Sequence, residues 1–301
     1  MKKVKKNIFI TGGLGQDGKI LTYLLNPDKY NIFIFAKRKT GNMVKNCKIF
    51  YENLRNKIEP YWLLKDNIDN THSSILWQQA IATYPAFLTE LLLLQKCGNN
   101  LAAIVTGQQD PQSVMFTDST AAENLYTYAE TFHIYNVIVT KVIKYITQAT
   151  NQHKVLKILE VGAGTGGTTS FVLPHLPAFR VEYTYTDISQ FFLNSAQQKF
   201  AAYKFVDYQL LDISQDPLQQ GFALESYDIV IAANVSHATP DVSASLTIIK
   251  SLLAPSGMLL MMEMTNKHTF FDLVFGVYDD LWKFTDYDLR STHPLLQQAQ
   301  F

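Results

Sequence analysis

The stretch Lys157-Ile-Leu-Glu-Val-Gly-Ala-Gly-Thr-Gly166 constrains this chain more than any other, because an apolar strand runs straight into Glu160-x-Gly162-x-Gly164-x-Gly166. Glycines let a backbone approach a ligand where a Cβ would clash. The turn follows a strand and precedes an expected helix start, which is where open α/β sheets bind nucleotides. A glycine-rich turn alone is a weak signal. Four further strand-like segments, following in order, give it weight.

From Lys157 the alternation of strand and helix is regular, with strands predicted at 157–162, 181–187, 205–211, 227–233 and 257–264. Between the fourth and fifth lies a helix. Thr239 is its expected cap, Pro240 its first turn and Asp241 the partner of its dipole. Val242, Leu246, Ile249 and Leu253 form its apolar stripe, and Pro255-Ser-Gly257 is expected to break it.

Ligands in such sheets bind beyond the carboxyl ends of the strands. The first strand delivers Glu160, Gly162, Gly164 and Gly166. The second ends in Thr186-Asp187, where a carboxylate can accept both hydroxyls of a ribose. The third ends in Leu211-Asp212-Ile213, an acid to accept from an adenine amino group and an aliphatic side chain to cover its face. The fourth ends in Asn234-Val-Ser-His237 and the fifth in Glu263-Met-Thr265. A lone strand-end Asp is usually a turn residue, but a series of strand-end acids behind a glycine turn reads as one nucleoside site. His237 and Glu263 are the catalytic candidates. A neutral imidazole near pH 7 is a suitable base for a carbon or hydroxyl nucleophile, and Glu263 can hold the other ring nitrogen.

Residues 1–45 read as a partial dinucleotide-binding-like βαβ unit. Ile8-Phe-Ile10 is a strand, Gly12-x-x-Gly15-x-x-Gly18 opens a helix over 19–25, and Asn31-Ile-Phe-Ile-Phe35 is a second strand ending in Lys37-Arg38. One such unit does not make a dinucleotide domain, so it reads as a structural remnant, with a cofactor site as the alternative. Residues 46–74 are polar and read as a linker or a weak helix. Residues 75–150 read as a helical cap, with Gly98 stopping one helix. Its buried faces are expected to carry Leu88, Leu91 and Leu92, then Tyr135, Ile138, Val139, Val142, Ile143 and Ile146. Tyr126 and Tyr135 are candidates to face a substrate. Residues 151–301 form the core.

The net charge is zero, which disfavours a nucleic-acid partner. Two cysteines, Cys47 and Cys97, make no disulfide framework, and no histidine pairs with cysteine at metal-ligand spacing. A reduced, cytoplasmic protein without a metal is expected, and no apolar run is long enough to cross a bilayer.

The order of these strand ends is similar to that of S-adenosylmethionine (SAM) methyltransferases. Residues from about 80 to 301 resemble, in particular, the methyltransferase domains of modular polyketide synthases. The matching text includes Tyr84-Pro-Ala-Phe-Leu-Thr-Glu-Leu91, Tyr135-Asn136, Leu159-Glu-Val-Gly-Ala-Gly-Thr-Gly-Gly-Thr-Thr169, Thr186-Asp-Ile-Ser189, Leu211-Asp-Ile-Ser214, Ala232-Ala-Asn-Val-Ser-His-Ala-Thr239 and His293-Pro-Leu-Leu296. The resemblance implies an α/β, Rossmann-like parallel sheet. It also implies SAM as cofactor, held by Glu160, Gly162, Gly164, Gly166, Asp187, Asp212, Ile213 and Asn234, and a base dyad of His237 and Glu263. The implied reaction is methyl transfer to the α-carbon of a β-ketoacyl chain on an acyl carrier protein, with neighbouring synthase domains as partners. Close relatives methylate a β-hydroxyl instead. The family's sheet normally continues with two further strands, so the core is expected to lack its last strands. Asp280 and Leu281 stand where relatives tend to carry Gly and Trp.

The first forty residues are similar to the start of extended short-chain dehydrogenases and ketoreductases. The competing readings are therefore a nicotinamide-dependent reductase or dehydratase fragment and an inactive SAM-fold scaffold.

Overall fold

The structure is a computed structural model that describes residues 6–11, 30–36, 48–51, 73–116, 120–265, 268–297 and 300. It divides into two compact units: Met1–Pro85, Leu91–Val114 and His268–Val277 in one, and Ala86–Glu90, Met115–Lys267 and Tyr278–Phe301 in the other. The helical region 75–150, expected as a single cap, is thus shared between the two.

In the first unit three parallel strands, β1 (Lys6–Thr11), β2 (Tyr30–Ala36) and β3 (Lys48–Tyr51), lie side by side in that order. β1 and β2 are the two expected strands, with Ile8 opposite Ile32. The glycine turn at 12–18, the helix at 19–25, and Lys37 and Arg38 fall outside the described residues. β3 lies within 46–74, so that stretch is not a linker throughout; the apolar run Ile49-Phe-Tyr51 is too short to stand out from its polar flanks.

Helix α1 (Ser73–Thr83) is followed by α2 (Leu88–Val105), which continues through Gly98. A glycine inside a helix costs only ~1 kcal/mol, and Leu93, Cys97, Leu101 and Ile104 form a buried stripe that outweighs it. Leu88 and Leu92, expected in that stripe, are exposed. A short helix α3 (Pro111–Phe116) follows.

The second unit carries helices α4 (Thr120–Tyr128) and α5 (Glu130–Ala149), then the sheet. Its strands are β4 (Leu156–Val161), β5 (Val181–Asp187), β6 (Val206–Leu210), β7 (Tyr227–Ala233) and β8 (Leu253–Met262). All are parallel, in the order β6-β5-β4-β7-β8. The chain builds outward from β4 to β6 and returns on the other side at β7. The topological switch therefore lies between β4 and β7, where such sheets form a ligand crevice.

Helices α6 (Gly167–Val172), α7 (Gln190–Lys199) and α8 (Val242–Leu252) cover the sheet together with α5. Alternate residues of each strand feed opposite faces. Ile158, Tyr183, Tyr185, Ile229 and Ile231 pack with α5, α6 and α7, while Leu159, Val161, Val230 and Ala232 pack with Ile249 and Leu252 of α8. Burial on both faces explains the near-continuous apolar runs of these strands.

Three local expectations are corrected. The buried face of α5 is Phe132, Asn136, Val139, Thr140, Ile143 and Thr147, and Tyr135 and Ile138 point to solvent. Polar residues sit on that face because Thr140 and Thr147 return their hydroxyls to the carbonyls of Asn136 and Ile143 at 2.8 and 2.7 Å. The cap of α8 is Asp241, which accepts from Ala244 N at 2.9 Å, while Thr239 instead donates to Ser236 O. β8 begins at Leu253, and Pro255-Ser-Gly257 makes a register shift against β7 rather than a break before the strand. Among the described residues no helix is long and apolar enough to cross a membrane.

Candidate active site

β4 delivers the glycine loop at the switch point. Gly162, Gly164 and Gly166 all adopt left-handed φ values. At Gly164 a Cβ would meet nothing nearer than Gly162 O at 3.9 Å, so its backbone faces open space. Gly167 is glycine for another reason. A Cβ there would stand 2.8 Å from the Cβ and carbonyl oxygen of Tyr126, so α4 rests directly on the start of α6. Sequence reasoning did not single out Gly167, because its backbone needs no special φ.

β5 pins the loop. Ala163 N donates to Thr186 O at 2.9 Å, Tyr185 Oη to Gly164 O at 2.7 Å, and Gly164 N to Asp187 Oδ2 at 2.9 Å. Asp187 Oδ1 accepts from Ser189 N at 2.8 Å. Burial raises the Asp187 pKa, partly opposed by these backbone bonds.

Glu160 is 1% exposed, and its Oε2 accepts from Thr169 Oγ1 and Tyr183 Oη, both at 2.5 Å. Burial pushes its carboxyl up to about 7, against the two hydroxyl bonds, and the Asp187 charge adds to the rise.

A cavity opens over the loop, lined by Glu160, Gly162, Gly164 and Thr165 from the loop region, Tyr126 and Asn136 from α4 and α5, Phe192 from α7, and Asn234 and Met262 beyond β7 and at the end of β8. Asn136 Nδ2 donates to Tyr126 O and its Oδ1 accepts from Thr168 Oγ1, each at 2.9 Å, tying both helices to α6. Asn234 has φ 57. Among the described residues, its Oδ1 and Thr165 Oγ1 are buried without a hydrogen-bond partner. Unpaired buried acceptors are costly. Two of them beside a bare backbone fit a polar ligand that brings its own donors, as the amino and ribose groups of SAM would.

His237 lies in the turn after β7, in a 3-10 segment Ser236–Ala238. Glu263 directly follows β8. His237 Nδ1 and Glu263 Oε2 are 2.8 Å apart. Glu263 Oε1 accepts from Val235 N at 2.8 Å and Ser236 N at 2.6 Å. Met262 and Asn234, both on the cavity wall, place this pair beside the glycine loop. Tyr126 is near enough for the Glu263 charge to raise its phenol pKa, although burial is the larger cause.

The remaining two candidates, Asp212 and Ile213, follow β6. Asp212 Oδ1 accepts from Ser214 N and Ser214 Oγ, an Asx turn, and Ile213 is 5% exposed within the α8-side core. Of the candidates, Glu160, Gly162, Gly164 and Asn234 line the cavity; Gly166, Asp187, Asp212, Ile213, His237 and Glu263 are not on its wall, although Glu263 directly follows the wall residue Met262.

Residues 159–259 match the family model of a methyltransferase domain. The chain is 36% identical over 225 residues to a non-reducing polyketide synthase, ausA of Penicillium brasilianum; the match covers 73% of this chain and 9% of that protein. The solved carbon methyltransferase CurJ superposes with a TM-score of 0.75 at 39% identity, covering 82% of this chain and 66% of that one. The trans-methyltransferase CalH, solved in complex with SAH, gives a TM-score of 0.65 at 31% identity, over 75% of this chain and 63% of that one.

Fold and glycine loop together define a methyltransferase domain of the Rossmann-like, SAM-dependent class. Within that class, the chain is similar to part of the non-reducing polyketide synthases and to the solved carbon methyltransferase CurJ. It spans about a tenth of the length of the synthases it matches, which are multidomain proteins.

Proposed function

We propose that this chain transfers a methyl group from SAM to the α-carbon of a β-ketoacyl thioester held on an acyl carrier protein, beside neighbouring synthase domains. The observation that carries the proposal is the His237–Glu263 pair at 2.8 Å beside the glycine-loop cavity. SAM would be held by the loop from Glu160 to Gly166, by Asp187 and by Asn234, and it supplies an electrophilic methyl group. Asp187 uses one lone pair of each oxygen on backbone N–H groups, which leaves acceptor capacity for hydroxyls. Asp212 and Ile213 would close the nucleoside end from the third strand.

His237 Nδ1–H donates to Glu263, so Nε2 is the basic nitrogen. It removes the α-proton, which the neighbouring carbonyl groups make acidic, and the ionised Glu263 stabilises the resulting imidazolium. The supporting test supplies SAM with a deuterated methyl group and a carrier-bound β-ketoacyl thioester. Mass and position of the label are then read by mass spectrometry and NMR. Label on the α-carbon is expected. Label on oxygen would replace the reading by O-methylation, and no label by that of a non-catalytic scaffold.

A further inference from the structure

Arg290 is 2% exposed. Its Nη1 donates to His237 O at 3.0 Å, and its Nη2 to Thr239 O at 2.7 Å and Pro240 O at 3.0 Å. Its Nε donates to Asp286 Oδ1 at 2.6 Å, and the guanidinium lies over the Phe284 ring at 4.9 Å. Asp286 Oδ2 in turn accepts from Val242 N, the first residue of α8, at 3.0 Å. Thr285 N donates to Pro240 O at 2.7 Å. The segment 284–290 therefore straps the turn that carries His237.

The geometry points to Arg290 as a positioning residue for the His237 base, an inference that rests on the proposed role of His237. Three carbonyls of one irregular turn converge on a single side chain. Only guanidinium offers five N–H donors in a rigid planar fork; an ammonium has three and no plane. A buried ion pair adds little net stability over apolar packing, so stability alone does not account for this cation. What the acceptors gain is a fixed geometry. The His237 ring is tethered through Nδ1 to Glu263, and its main chain is tethered through the carbonyl to Arg290. Glu263 Oε1 still holds Val235 and Ser236 before His237; loss of the Arg290 bond frees the carbonyl side of the turn, and the imidazole can then shift about its bond to Glu263.

The test uses the full chain with Arg290→Lys, which keeps the charge and loses the fork, and Asp286→Asn, which loosens the guanidinium without removing it. SAM affinity by calorimetry, kcat and KM for methyl transfer, and the nitrogen-15 resonances of the His237 ring are compared with wild type. Arg290→Lys is expected to bind SAM normally, to keep its KM, to shift the His237 resonances and to lower kcat by about tenfold or more, since small misplacements of a catalytic group are costly. Asp286→Asn should move kcat and the resonances in the same direction by less, and it decides the matter if Arg290→Lys does not fold. Wild-type kcat per folded molecule with unshifted His237 resonances would overturn the inference, even if the yield of folded protein drops. If wild type itself transfers no methyl, the proposed function fails separately. The His237 resonances then decide alone: shifted signals support the tether and unshifted signals overturn it.

Discussion

Glu263 holds the His237 ring through Nδ1 at 2.8 Å and the turn just before it through the backbone N–H groups of Val235 and Ser236. One carboxylate therefore sets both the orientation of the imidazole and the turn that presents it. Burial raises the Glu263 pKa, yet the bonds from His237, Ser236 and Val235 together with the His237 charge hold it below the ordinary carboxylate value. Glu263 stays ionised at neutral pH and is available to stabilise a positive imidazole.

From this pair, His237→Ala is expected to abolish methyl transfer while SAM still binds. A positioned base contributes ~10²–10⁴-fold, so the loss is large enough to measure in a carrier-bound β-ketoacyl assay. Glu263→Gln keeps the imidazole and one acceptor oxygen, and should cost less. Full rate after His237→Ala would place the base elsewhere.

Asp187, proposed to hold the ribose, also accepts from the backbone of Gly164 and Ser189. Asp187→Ala should weaken SAM binding by ~1–3 kcal/mol, the cost of leaving its partners unpaired. Calorimetric titration with SAM reads this directly, and unchanged affinity would remove Asp187 from the site.

The glycine loop, the strands and the pairing of His237 with Glu263 were legible because each has a local signature: an apolar run, a turn residue, a chemistry-bearing side chain at a strand end. What was not legible depends on distant partners. Arg290 meets His237 across 53 residues, and no pattern around Ser291 or Leu289 announces it. Asn136 reads as one polar residue in an apolar helix until Thr168 and the Tyr126 carbonyl are placed beside it. Gly98 reads as a stop because local propensity favours one, and the stripe from Leu93 to Ile104 overrides it. The cap moved from Thr239 to Asp241 because the Thr239 hydroxyl is taken by Ser236 O. Asp212 reads from the sequence as a strand-end acid at the ligand, and its Oδ1 also closes a local turn by accepting from Ser214, a second use that the strand-end position alone does not announce.

Glu160 predicts a pH dependence of stability. Its folded pKa of about 7 lies above the ordinary 4.5 because burial disfavours the charged form. The folded state then holds the proton more tightly than the unfolded one. The contribution is fully present below the unfolded value and is lost as pH rises through about 7. A shift of this size corresponds to a loss of up to ~3 kcal/mol. Glu160→Gln keeps an acceptor for Thr169 and Tyr183 but does not ionise, so its stability should decline less between about pH 5 and pH 8. Urea unfolding of both proteins at the two pH values checks this, and parallel profiles would show that Glu160 carries its charge throughout.

Gly164 and Gly167 sit three residues apart and should fail in different ways. Gly164 has φ +58 and open space where a Cβ would go. Gly164→Ala carries a left-handed backbone cost of ~1–2 kcal/mol, and its methyl group would occupy the space through which the loop approaches SAM. Gly167→Ala carries no such φ cost, but its Cβ would meet the Tyr126 carbonyl oxygen at 2.8 Å and carbonyl carbon at 3.0 Å. Those atoms are backbone, so α4 must move, and overpacking of this kind costs ~1–3 kcal/mol. SAM affinity should therefore fall most in Gly164→Ala. In Gly167→Ala, thermal stability should fall while the loop's own conformation is kept. Calorimetry and thermal unfolding on the same preparations separate the two effects. A Gly164→Ala protein that binds SAM as tightly as wild type would mean that the cofactor does not lie over this backbone.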